Sequence, residues 1–365
     1  MTQIVSRKKK RRRKMSPAGA LVMFLMFIVT ILGLYGIVQL LTSPSSQKSN
    51  AEEVALLETE TETETESEAP TETETEAPTD PPPLVVYPEK DSSTKVLGAE
   101  LNAQYAVLID CDEHKILSAK NSDVKMYPAS MTKLMTLIVA IENTEDFQET
   151  FEMTHEILED LWSQSASMVG FSSGEQCTIM DMLYGAALPS GADATVGLAI
   201  HTAGSERAFV RLMNRKAREL GLKNTHFMNT SGLHDENHYT TVEDMAVILE
   251  YCLQNEICRK VISTPTYITT PTEQHPDGIT LTDTMFNKMD GTEVPGITIK
   301  GGKTGFTDEA GHTLASYAMT PDGHCYIAVT GKGTDRFKPV DDAFVLYGSV
   351  TGTYPPASET AVPAQ

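Results

Sequence analysis

Cysteine pairs, tryptophan and, over two long stretches, charge of one sign are what this 365-residue chain has little of. Its five cysteines are scattered and odd in number, which excludes a disulfide framework, and none falls into paired metal-ligand spacing. Cys252 and Cys258 stand closest, and the expectation is free buried thiols throughout. The single tryptophan, Trp162, and the Met-rich helical segments read as core rather than cofactor contacts. Residues 1–50 contain no acid beside nine Lys or Arg, and residues 51–80 contain no base beside twelve Asp or Glu. The body, residues 81–365, holds 20 basic and 38 acidic side chains. Such a surface repels phosphate backbones and excludes nucleic acid as a partner. An apolar share of 40% with 12 tyrosines excludes wholesale disorder.

Arg7 to Lys14 is an unbroken cationic run, and Ala18 to Leu41 is 24 residues without a charge. As a helix that stretch spans roughly 36 Å, enough for a bilayer core of about 30 Å. A cleaved signal peptide has an apolar run of only about 7–15 residues and a small-residue cleavage site, and neither fits here. No polar face supports a surface-lying amphipathic helix. The expected arrangement is therefore a basic cytoplasmic segment (1–17), a single membrane anchor (18–41) and an extracytoplasmic remainder. Thr-Glu alternation and Pro81–Pro83 make 42–94 an extended, disordered linker, a tether whose carboxylates repel one another. The Pro/Ala-rich end, 351–365, reads as a disordered tail.

From residue 95 to about 350 the pattern is that of a folded domain. Ala103–Ile109 and Lys115–Ala119 read as two strands around a turn. Met131–Ile141 is almost wholly apolar, the mark of a helix buried on all sides. Further helices are expected at Ile179–Leu188, Ala192–His201, Ser205–Leu220 and Val242–Gln254, the last opened by Thr241 and Asp244. Ile297–Lys300, His312–Met319 and His324–Thr330 read as strands, and Val340–Tyr347 as a closing helix. Strands, then helices, then strands and a helix make an α+β domain whose sheet draws on both ends of the chain.

Three short motifs can carry chemistry. Of five Ser-x-x-Lys matches, only Ser130 is followed by a buried apolar helix, and Lys133 shares its helix face. A lysine among apolar neighbours has its pKa lowered and can accept a serine proton, while the helix N-terminus helps hold an oxyanion. On this motif alone, an N-capping serine beside a snorkelling lysine is the simpler reading. Lys303-Thr304-Gly305 after a strand can bind a carboxylate, its glycines admitting a substrate backbone; a softened strand end is the plain alternative. Ser190, in Leu188-Pro-Ser-Gly-Ala-Asp193, offers a second hydroxyl or a simple N-cap.

In order and separation the three resemble the Ser-x-x-Lys, Ser-x-Asn, Lys-Thr-Gly set of penicillin-recognising serine enzymes. Over about Val96 to Gly348 the chain resembles the serine-type D-alanyl-D-alanine carboxypeptidases, the low-molecular-mass penicillin-binding proteins. Asn229-Thr-Ser-Gly-Leu-His234, Lys303 to Gly311 and Arg336 extend the match. The resemblance implies a β-lactamase/transpeptidase-like fold, a five-stranded antiparallel sheet flanked by helices beside an all-helical lobe. It implies that Ser130 attacks the carbonyl between two terminal D-alanines of a peptidoglycan stem peptide, with Lys133 as base. Ser130 and Phe306 would supply oxyanion N–H groups, Ser190 and Lys303 a proton path, and Thr304, Gly305 and Arg336 the binding of the leaving residue. β-Lactams would be covalent inhibitors, with no metal or organic cofactor required. An additional β-domain carried by many relatives is expected to be missing, leaving attachment to the N-terminal helix.

One position departs from the pattern: Ala192 stands where the family has Asn, and Asp193 next to it is expected to point elsewhere. A zinc helix at His234-Asp-Glu-Asn-His238 fails because the acid at the second position is Asp235, not Glu. A class A β-lactamase lacks support, since the only Leu-Asn, Leu101-Asn102, has Gly98 rather than Glu ahead of it. An endopeptidase or transpeptidase acting on wall peptides, and a weakened peptidoglycan-binding homologue motivated by Ala192, stay open.

Overall fold

Strand β2 (Tyr105–Asp110) shows why the domain closes as it does: Val107 and Ile109 enter one hydrophobic core, Ala106 and Leu108 another. Side chains of a strand alternate between faces, so an unbroken apolar strand must be covered on both. The computed structural model describes residues 84–353 apart from Asp290 and Thr292. Among these, no helix is long and apolar enough to cross a membrane; the segments expected at 1–17 and 18–41, most of the linker and residues 354–365 lie outside them.

The central sheet joins β1 (Lys95–Val96), β2, β3 (Lys115–Lys120), β8 (Glu293–Val294), β9 (Ile297–Thr307), β10 (Gly311–Met319) and β11 (Cys325–Gly333), in the order β1-β3-β2-β11-β10-β9-β8. Its five long strands are antiparallel, as expected. The two-residue edge strands were not foreseen, and β1 runs parallel to β3. The expected linker boundary at 94 is also too late. Val85 is buried, Tyr87 donates to Asp244 at 2.8 Å, and Glu89 bridges to Lys115, so residues 84–94 belong to the domain. Proline and acidic composition hid a segment whose few apolar side chains pack.

One face of the sheet packs on α8 (Lys338–Thr351), the other on α6 (Val242–Gln254). Around α1 (Lys133–Glu142), in which every residue from Lys133 to Ile141 is buried, gather α3 (Ile179–Ala187), α4 (Ala192–Ala203), α5 (Glu206–Glu219), α6 and α7 (Glu256–Ile262). Helix α2 (His155–Ser163), capped by Thr154, and α7, capped by Asn255, are short and were not expected. The two-stranded pairings of β4 (Thr150–Met153) with β5 (Glu175–Thr178) and of β6 (Thr266–Ile268) with β7 (Thr280–Thr282) were not expected either.

The expectation of free thiols fails at one pair. Cys252, in the last turn of α6, and Cys258, in α7, form a disulfide across the bend between the helices, with Cα atoms 5.6 Å apart. The bend brings together two residues that spacing in a straight helix would have kept apart.

Candidate active site

Ser130 stands in a 3₁₀ turn, Ala129–Thr132, that runs directly into α1. Ala129 has φ +48°, a left-handed conformation unfavourable for a residue with a Cβ. Gly232 makes room for it: at φ +84°, a Cβ on Gly232 would lie 1.9 Å from the Ala129 carbonyl oxygen. One strained residue, Ala129, and the glycine that makes room for it thus hold the serine where the helix starts. One turn on, the buried Lys133 Nζ donates to Ser130 Oγ at 3.0 Å and to the Ser231 carbonyl at 2.6 Å. Burial lowers the Lys133 pKa well below the usual lysine value; the charge of Lys303 lowers it further, and Asp193 works against both. A neutral amine within hydrogen-bond reach of a serine hydroxyl is a competent general base.

Lys303, Thr304 and Gly305 lie within β9 rather than after it, and Lys303 is fully buried. Its Nζ donates to the Thr304 carbonyl at 3.1 Å. Burial takes its pKa down to about 8, opposed by Asp283 and reinforced by Lys288. Gly305 allows β9 to meet the serine turn, since a Cβ there would stand 2.8 Å from the Ser130 nitrogen. Beyond Thr298, the outer edge of β9 has no strand partner among the described residues, leaving a backbone ladder open to an extended peptide.

A small cavity of about 70 Å³ is lined by Ser130, Lys133, Ser167, Ala192, Leu233 and Phe306, among others. Ser190 has φ +67°, and its buried Oγ has no hydrogen-bond partner among the described residues. Gly191 occupies the N-cap of α4, so the capping alternative for Ser190 fails. Asp193 points away from the cavity, as expected. Its carboxylate accepts the Val169 N–H at 2.9 Å and the Gly170 N–H at 3.3 Å, pinning the loop between α2 and β5.

Thr304 Oγ1 pairs with Thr284 Oγ1 at 2.6 Å, and the half-exposed Phe306 stacks on His312. Arg336 is exposed, its guanidinium 4.6 Å from the Phe337 ring centroid, and its charge reaches Lys288. Sequence reasoning missed the Ser231 carbonyl, the clearance at Gly232, and Asp283 and Lys288 beside Lys303. Only the Asn229–His234 segment carried a signal, and it gave no role. His238 is buried, pushed down to about 4 by that burial, and bonds Thr132 Oγ1 at 2.8 Å. His234 packs edge-on against Tyr127.

Residues 90–333 match the sequence pattern of the D-alanyl-D-alanine carboxypeptidases. The chain is 36% identical over 252 residues to D-alanyl-D-alanine carboxypeptidase DacF of Bacillus subtilis, covering 67% of this chain and 63% of that protein. The chain thus spans less than two thirds of this relative's length. Among solved structures, the Streptomyces K15 DD-transpeptidase superposes with a TM-score of 0.63 at 25% identity, over 68% of this chain and 98% of that one. Penicillin binding protein 5 from Haemophilus influenzae superposes with a TM-score of 0.62 at 26% identity, over 70% and 72%.

Proposed function

The chain belongs to the D-alanyl-D-alanine carboxypeptidase family, and from that membership and the site geometry we propose that it removes the terminal D-alanine from peptidoglycan stem peptides through an acyl-enzyme on Ser130. The observation that carries this reading is the 3.0 Å hydrogen bond from the buried Lys133 to Ser130. The peptide lies along the open edge of β9. Lys133 takes the Ser130 proton as Oγ attacks the carbonyl between the two D-alanines. The N–H groups of Ser130 and Phe306, which line one cavity, receive the developing negative oxygen. Ser190 Oγ, with no hydrogen-bond partner among the described residues, and Lys303 pass the proton to the leaving amine. Thr304, on the strand opened by Gly305, binds the departing carboxylate, and the charges of Lys303, Lys288 and Arg336 favour an anion at that end. Water then releases the acyl group. A β-lactam enters the same sequence, and its acyl-enzyme persists.

The proposal includes the setting: residues 18–41 anchor the protein as a single span, residues 1–17 stay cytoplasmic, and the acidic tether presents the domain to the wall. Incubation with a labelled penicillin and peptide mapping tests the chemistry. An adduct on Ser130, absent from Ser130→Ala, supports it; an unlabelled wild-type chain rejects it.

A second reading is a transpeptidase, favoured by the likeness to a DD-transpeptidase. There an amine, not water, takes the acyl group. Adding glycine or a D-amino acid and measuring exchanged product against free D-alanine separates the two.

A further inference from the structure

Three cysteines outside the Cys252–Cys258 bridge are free: Cys111, Cys177 and Cys325. Two of them face each other. The register of β2 and β11 pairs Asp110 with Tyr326, and the Cys111 N–H donates to the Cys325 carbonyl at 3.1 Å, continuing that ladder by one residue on each strand. Directly opposed residues of antiparallel strands have Cβ atoms about 4.5–5.5 Å apart, at or just beyond the roughly 3.5–4.5 Å that a disulfide spans, so closure needs only a small approach of the two strand ends. The neighbouring Cys325 thiol and burial together push the Cys111 thiol above its ordinary range. Both residues are only partly buried, unlike Cys177, which is fully enclosed. They lie at the end of the sheet away from Gly305, since Cys325 pairs with Met319, Met319 with Thr298, and Gly305 with Thr313.

We propose that Cys111 and Cys325 are a redox-active dithiol that closes to a second disulfide, tying the turn after β2 to the start of β11. This goes beyond the catalytic reading and does not depend on it. The oxidant is a disulfide such as oxidised glutathione. One of the two thiols, as its thiolate, attacks first, releasing one glutathione thiol and leaving a mixed disulfide. The other thiol, giving its proton to solvent, then attacks the mixed disulfide and expels the second glutathione. Two protein thiols are oxidised, and one disulfide is reduced to two thiols.

The full chain in detergent is equilibrated natively with oxidised glutathione, quenched in acid, denatured, alkylated and mapped. The expected result is a linked Cys111–Cys325 peptide, with the free thiols falling from three to one and no glutathione retained. Cys111→Ser should trap glutathione on Cys325. Separately alkylated cysteines, or stable adducts on both in the wild type, would overturn the proposal.

Discussion

Lys133 Nζ holds two oxygens at once, Ser130 Oγ at 3.0 Å and the Ser231 carbonyl at 2.6 Å. The carbonyl fixes the amine against the hydroxyl, so removing the amine removes base and orientation together. Lys133→Ala should lower penicillin acylation about 10²–10⁴-fold, the usual worth of a positioned general base. Unfolding in urea should confirm that the variant is folded.

The two buried lysines impose opposite pH limbs. Acylation requires Lys133 neutral, and burial places that loss of proton well below the usual lysine range, so the rate rises on the acid side. Lys303 serves as a cation and donor, and its pKa of about 8 makes the rate fall as pH passes that value. The profile of kcat/KM should be a bell with its alkaline limb near 8. Lys303→Arg should move that limb upward, because arginine keeps its charge.

Lys303 is held at a cost to stability. A lysine whose pKa falls on folding destabilises the fold most when both states are protonated, below about 8; the penalty fades as pH rises toward the unfolded value. A shift from 10.5 to about 8 corresponds to about 3 kcal/mol. Lys303→Met should abolish turnover yet raise stability at pH 7 by about 1–3 kcal/mol, a gain that shrinks above pH 9. Chemical denaturation at several pH values measures it.

Gly232 and Ala129 share one piece of space. Gly232→Ala puts a methyl group onto the Ala129 carbonyl at φ +84°, so the serine turn must move. Loss of about 2 kcal/mol or more of stability, together with loss of acylation, is expected. Gly204→Ala, also at positive φ but in open space at the end of α4, should cost only about 1–2 kcal/mol and leave acylation intact.

Ala192 tests how much the missing amide costs. Ala192→Asn places a donor and an acceptor in the cavity wall beside Ser130 and Lys133. One good hydrogen bond to the substrate's acyl side should raise kcat/KM roughly tenfold, since about 1.4 kcal/mol is a factor of ten.

Much of the fold was legible because its signals are local. The strand Tyr105–Asp110, the buried helix after Ser130 and the helix opened by Thr241 declare themselves by apolar patterning and capping. The bend between Gln254 and Glu256 did not, and with it went the Cys252–Cys258 disulfide. Residues 84–94 were misjudged because composition spoke of a tether while Val85 and Tyr87 found tertiary partners. At the site, side chains that announce their chemistry (Ser130, Lys133, Lys303) were readable. The parts played by backbone and by empty space, the Ser231 carbonyl and the clearance at Gly232, exist only once distant segments meet.

D-Alanine release from a synthetic peptide ending in D-Ala-D-Ala, measured for the full chain beside Ser130→Ala, tests the central claim most directly. Release by the parent and none by the variant is the expected result. Equal release from both would remove Ser130 from the chemistry, and no release from either, with the penicillin adduct still forming, would turn the site toward acyl transfer onto an amine.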